Sequence, residues 1–239
     1  MRNLFLLFLF SFQVSSSQSL YDKVSADIKF FSKDARSYFT SPLNFNSRDH
    51  VNLALVGLGT VALFGFDHLN KDIQKIDNDF FTALMKIDSY YGTVWAFGAI
   101  SGTLYLGGLL LNEKEWRKTG LMVFESGAFA GTVTTILKVA FGRERPFVSG
   151  DKFKFRPFNF KGNPYYSFPS GHATLSFAIS SVLASRFENK AVKAIIYTPA
   201  VLTALARVYN NQHWFSDVFL GSAIGYFTGV FIVKLNSER

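Results

Sequence analysis

Three short stretches of this 239-residue chain hold residue types that could do chemistry together. The first runs from Lys138 to Pro146, at the end of an apolar run, and carries Lys138, Arg143 and Arg145. Seven residues is close to two helical turns, so Lys138 and Arg145 are predicted to point the same way, with Pro146 ending the helix. A point cation and a planar guanidinium converging on one spot can hold a phosphate; two cations at a helix end also suit a solvated membrane boundary. The second stretch is Pro169-Ser170-Gly171-His172, directly before another apolar run. Ser170 can cap the new helix, and Gly171 lets a ligand approach the free N–H groups at the positive end of the helix dipole. That makes an anion site with His172 at its edge. The third stretch holds Arg207, His213 and Asp217. Asp217 follows His213 by one helical turn. A buried carboxylate on the Nδ1–H of an imidazole fixes its tautomer and leaves Nε2 free to attack.

The elements that must position these groups are apolar helices. Apolar segments recur at Val51 to Phe66, Gly92 to Leu111, Thr119 to Phe141, His172 to Leu183, Ala191 to Val208 and Phe215 to Val233. Three of them are long enough to cross the roughly 30 Å of hydrocarbon in a bilayer. No strand alternation competes with them. The fold expected is all-α, a membrane-embedded bundle of about six helices. In the last segment Gly221, Gly225 and Gly229 form a stripe for close helix contact, and Asp217 lies one turn before it. Gly127, Gly131 and Thr135 are expected to play the same part in the third, with Lys138 extending that face, while Glu125 is read as an interhelix contact.

Ahead of the bundle, Arg2, the apolar run Leu4 to Phe10 and the small polar stretch Gln13 to Ser19 read as a signal peptide over residues 1–17. Residues 18–50 read as an amphipathic segment, with Ile28, Phe31, Ala35 and Phe39 at helical spacing and Ser41-Pro42 breaking the helix. Residues 51–239 form the membrane domain.

Composition narrows the classes of function. Hydrophobic residues make up 49% and charged residues 18%, the latter below the roughly 25% usual in soluble domains. Disorder is excluded. Cysteine is absent, which excludes disulfide scaffolds, zinc–thiolate sites and thiol catalysis. The net charge is +8, yet no Lys/Arg run or zinc-finger spacing points to nucleic acid. An anionic lipid or phosphorylated substrate would draw on the same charge.

In that order, K-x6-RP, PSGH and R-x5-H-x3-D resemble the type 2 phosphatidic acid phosphatase and vanadium haloperoxidase superfamily. They read here as Lys138 to Pro146, Pro169 to His172 and Arg207 to Asp217. The resemblance covers about 80 residues. One departure is visible: where the family usually has serine before the third-motif arginine, this chain has Ala206. That removes a hydroxyl but no charge. The resemblance implies that Lys138, Arg145, Ser170, Gly171 and Arg207 hold the phosphoryl oxygens. It implies that His213 is the nucleophile, forming a phosphohistidine, that Asp217 orients it, and that His172 is the general acid and then the base. Arg143 is an extra cation, available either to the phosphate or to a lipid headgroup. His50 and His68 fall outside the motifs. No metal or other cofactor is expected, because cations and amides hold the phosphate and no carboxylate cluster is evident.

The expected substrate is a phosphorylated lipid of phosphatidate-like, prenyl diphosphate or lipid A type, presented at the bilayer surface. Lys152, Lys154, Arg156 and Lys161 among aromatics suit either an interfacial loop over an anionic headgroup or a plain solvated loop. Lys114, Arg117, Lys118, Arg186 and Lys190 on the opposite side make that side cytoplasmic and place the site outside, periplasmic in a bacterium. A cleaved signal peptide followed by six full spans would place it inside. The conflict is removed if Val51 to Phe66 does not cross or if residues 1–17 stay attached. Rival readings are a soluble or periplasmic acid phosphatase, a vanadate-dependent haloperoxidase and a catalytically silent lipid binder. A metal-free site makes a prediction: phosphate release should survive excess EDTA. Complete loss that Mg²⁺ restores would contradict it.

Overall fold

The computed structural model describes residues 19–237 apart from 77, 159 and 161. The expected signal peptide and Lys161 lie outside the described residues. The apolar segments are helical: α2 (Ser47–Phe66), α3 (Val94–Leu110), α4 (Lys114–Phe141), α5 (Gly171–Ala184), α6 (Lys190–Tyr209) and α7 (Phe215–Ser237), preceded by α1 (Leu20–Thr40). Four stretches are long and apolar enough to cross a membrane: Ser47–Ile73, Lys114–Phe141, Lys190–Tyr209 and Phe215–Ser237. Two shorter apolar helices, α3 and α5, lie among them. Val51, Leu55, Leu58 and Val61 of α2 and Trp95 of α3 are exposed. An apolar surface of this kind suits hydrocarbon rather than water.

Ser19 and Asp22 form a capping box that starts α1. Its buried face matches the expected one in part. Phe31, Ala35 and Tyr38 pack on the core, together with buried Asp27 and Asp34, whereas Ile28 and Phe39 are exposed. The aspartates turn inward because partners wait there. Tyr105 and Arg117 meet Asp27 at 2.9 and 3.5 Å, and Asn236 donates to Asp34. Lys23 reaches Asn112 in the α3–α4 turn. The first half of α1 therefore lies at the end of the bundle remote from Lys138 and Arg145.

The packing that positions the site is α7 against α5. A Cβ on Gly221 would fall 2.4 Å from the Ser170 carbonyl oxygen, and one on Gly225 would fall 2.1 Å from that of Thr174. Glycine is needed at both because backbone meets backbone. The second predicted stripe holds only in part. Gly127 lets the Phe97 ring of α3 approach closely, whereas nothing lies within 4 Å of a Cβ on Gly131, which faces a cavity.

Gly225→Ala should therefore destabilise the protein by about 1–3 kcal/mol through overpacking, whereas Gly57→Ala, which meets nothing within 4 Å, should not. Thermal unfolding of both variants in detergent checks this. Equal melting temperatures would refute the backbone contact.

Candidate active site

The helix that carries Lys138 stops earlier than the spacing predicts. Gly142 caps α4 at φ +56°, with its N–H on the Lys138 carbonyl. A Cβ there would fall 1.8 Å from the Arg156 carbonyl oxygen, so only glycine fits this left-handed turn. Arg143 to Arg145 then run extended, bridged to Phe155, with the Glu144 N–H on Lys154 and the Arg145 N–H on Pro164. Pro146 does not end α4; it opens the short helix Pro146–Ser149. In an extended segment alternate side chains share a side. Arg143 and Arg145 accordingly turn inward, and Glu144 turns to Lys154 and Arg156.

Arg143, expected to be available to a phosphate or a headgroup, is engaged by the protein itself. Its side chain is 0% exposed. Nη1 donates to Asp217 Oδ1 at 2.6 Å and Ser216 Oγ at 2.7 Å. Nη2 donates to Asp67 Oδ2 and the Lys152 carbonyl, both at 2.7 Å, and Nε to that carbonyl at 3.0 Å. All five guanidinium N–H donors are thereby spent. The Phe64 ring lies 4.3 Å and Trp214 5.3 Å from its carbon.

His213 precedes α7 rather than lying on it. Its N–H donates to the Arg207 carbonyl and its carbonyl accepts from Asn70. Nδ1 is 3.5 Å from Asp217 Oδ2 and makes no hydrogen bond among the described residues; contacts of this kind often tighten only when substrate binds. The same Oδ2 accepts from Ser167 Oγ and from the Trp214 N–H at 2.9 Å. Nε2 lies 3.3 Å from Arg145 Nη1.

Lys138 and Arg207 join Arg145 in acting electrostatically on that ring. Arg145 is tethered to the carbonyls of Asn163 and Gln212, and Lys138 to that of Tyr166. Neither makes an ion pair with a carboxylate among the described residues. Arg207 has one, Asp88, at 2.9 Å. Ser170 caps α5 through Ala173, its own N–H donating to the Asp217 carbonyl. The N–H groups of Gly171 and His172, in the first turn, have no intrahelical acceptor. The site thus holds more positive than negative charge, with helix-end donors beside it. Burial and then Arg207 lower the Arg145 pKa to about 10, which leaves it a cation at neutral pH. Burial, followed by Arg145, Lys138 and Arg207, holds the His213 imidazole well below its ordinary pKa. Arg145 Nη1 can only donate, so Nε2 faces it as an acceptor.

A cavity of about 540 Å³ leads away from Lys138, Gly171 and His172 along Phe97, Gly131 and Leu175. His50 and His68 are exposed and bond local carbonyls. Sequence reasoning missed Asp67, Asp88, Ser167 and Asn70. Asp67 carried a readable signal: it closes α2, where a negative charge opposes the helix dipole and so needs a cation elsewhere. Ser167 and Asp88 carried none.

A family model described as the PAP2 superfamily matches residues 119–239. Two lipid A 1-phosphatases are similar to this chain. That of Porphyromonas gingivalis is 29% identical over 119 residues, 49% of this chain and 24% of that protein. That of Rhizobium etli is 35% identical over 108 residues, 44% and 45% of the two. The chain thus spans less than half the length of these relatives. Among solved structures, a transmembrane PAP2 type phosphatidylglycerolphosphate phosphatase from Bacillus subtilis superposes with a TM-score of 0.60 at 18% identity, covering 90% of this chain and 96% of that one. At that identity the likeness is one of fold.

Two predictions come from this geometry. Arg143→Met, which strands two buried carboxylates, should cost about 3–5 kcal/mol, read as a fall in melting temperature in detergent; an unchanged value would deny the ion pairs. Arg145→Gln removes a cation that opposes protonation of His213 and should move its titration to higher pH, as read by NMR of isotope-labelled histidine. A shift to lower pH would show the sign to be wrong.

Proposed function

Because the chain belongs to the PAP2 superfamily, we propose that it is a metal-independent phosphatase that removes phosphate from a membrane lipid through a phosphohistidine on His213. The observation that carries this reading is the pair of cations without carboxylate partners, Lys138 and Arg145, the latter 3.3 Å from His213 Nε2. A phosphate supplies the missing anion. Its oxygens are held by Lys138, Arg145 and Arg207, with the N–H groups of Gly171 and His172 and the Ser170 cap at the helix end.

In the first step the His213 Nε2 lone pair forms a bond to phosphorus, and the bond from phosphorus to the lipid oxygen breaks. His172, which takes up a proton as the negative charge of the phosphate arrives beside it, gives that proton to the leaving oxygen. In the second, His172, now neutral, takes a proton from water; the hydroxide attacks phosphorus and the P–N bond breaks. Asp217 stabilises the positive charge that the ring acquires while substituted. The cavity beyond Gly171 takes hydrocarbon, which favours a lipid over a soluble phosphate ester. Similarity to lipid A 1-phosphatases favours a lipid A type substrate over phosphatidate-like or prenyl diphosphate lipids.

The bundle also bears on orientation. Helices α2 to α7, read as six crossings, put Ser19 and the catalytic groups on opposite faces. With Lys114, Arg117 and Lys118 cytoplasmic, the site faces outward, on the periplasmic side of a bacterial inner membrane. Ser19 is then cytoplasmic, which favours retention of residues 1–17 over cleavage.

Phosphate release from a panel of lipid A, phosphatidate and prenyl diphosphate lipids in detergent tests the activity. His213→Ala should lower it at least about a thousandfold. Absence of release from every lipid by the unmodified protein would refute the proposal. The lack of native cysteine gives a clean topology test. Ser149→Cys should react with an impermeant reagent in intact cells, whereas Tyr21→Cys and Glu188→Cys should react only after permeabilisation. Tyr21→Cys labelled from outside would overturn the orientation.

A further inference from the structure

Asp67 and Arg143 have no part in these steps, yet they form a fully enclosed ion pair that ends at the catalytic aspartate. Arg143 stands between two carboxylates, 2.7 Å from Asp67 Oδ2 and 2.6 Å from Asp217 Oδ1. The cluster thus sets one guanidinium against two carboxylates. Asp67 is also built into the start of α7. Its Oδ1 accepts from the Ser216 N–H at 2.9 Å and its Oδ2 from Ser216 Oγ at 2.8 Å. Without Asp67, Arg143 would neutralise Asp217 alone, and little charge would remain to act on the imidazole 3.5 Å from Oδ2. In a buried cluster such a difference is only weakly screened.

We infer that Asp67 and Arg143 are positioning residues of this reaction: Asp67 balances Arg143, so that Asp217 keeps the negative charge that holds His213 with its proton on Nδ1 and its lone pair on Nε2. The inference deepens the phosphatase reading and rests on it. The first span thereby acts on the nucleophile through two intervening side chains, although it contributes no group to the phosphate site. The same balance matters most when the ring becomes positive on bonding to phosphorus, so its loss is felt in kcat rather than in substrate binding.

The test compares Asp67→Asn with Ser216→Ala in the full chain in detergent. Ser216→Ala removes a bond to both partners but changes no charge, so it controls for packing. Histidine-selective isotope labelling is practical because the chain has four histidines, and the His213→Gln spectrum assigns the resonance. Well above the ordinary histidine pKa, the unmodified protein should show His213 chiefly as the Nδ1–H tautomer. In Asp67→Asn that fraction should fall, and kcat should drop about tenfold with KM changed by no more than about twofold. Ser216→Ala should keep the tautomer. If Asp67→Asn does not fold, Asp67→Ser, which leaves room for a water beside Arg143, carries the same comparison. An unchanged tautomer in the folded Asp67 variant, or an equal change in Ser216→Ala, would overturn the inference. The tautomer is read without substrate, so failure of the phosphatase reading shows separately, as an unmodified protein that releases no phosphate.

Discussion

The site depends on one buried guanidinium. Arg143 ties the end of α2, through Asp67, to the start of α7, through Asp217. Enclosing three charges is costly unless each is paired and its remaining donors are satisfied. Here five donors find acceptors and aromatic rings cover the guanidinium. Removing one member would leave the others stranded, which is why the arrangement behaves as a unit. Because Asp217 also receives the Trp214 N–H and lies beside His213, this structural clamp and the proposed chemistry share a carboxylate.

The neighbouring cations have the opposite character. Arg145 is two residues from Arg143 and leaves the same extended segment, but it is held by carbonyls and keeps its charge unneutralised. Lys138 is likewise held by a carbonyl. Carbonyl tethers fix a cation in place without cancelling it, so the positive field remains for an incoming anion. The left-handed turn at Gly142 is what separates the two roles. It takes the chain off α4 and lets one arginine go to the protein's own carboxylates while the other keeps an unneutralised charge beside His213.

Much of this was legible beforehand. The apolar runs located the helices because membrane helices announce themselves by length and composition. The glycines at 221, 225 and 229 announced a close contact, met by α5. The ends of elements were harder. Helical spacing predicted that Lys138 and Arg145 converge for the wrong reason, since the helix ends at Phe141 and an extended segment brings Arg145 in. Arg143 was read as a ligand contact because its partners, Asp67 and Asp217, are 76 and 74 residues away, and pairing over such distances leaves no local pattern. The same holds for Asp88, which reaches Arg207 from outside all three motifs. On α1 two of the four spaced residues, Phe31 and Ala35, pack inward as expected, but hydrophobicity alone does not show that Asp27 and Asp34 find partners inside.

The central claim is that the cation-ringed imidazole of His213 becomes covalently phosphorylated. The direct measurement is a rapid base quench, which preserves a phosphoramidate, of the protein mixed with a radiolabelled lipid phosphate, followed by peptide mapping of the label. The account predicts label on the peptide containing His213, formed within the first turnover and absent from His213→Ala. Turnover without covalent label, or label that persists in that variant, would contradict it.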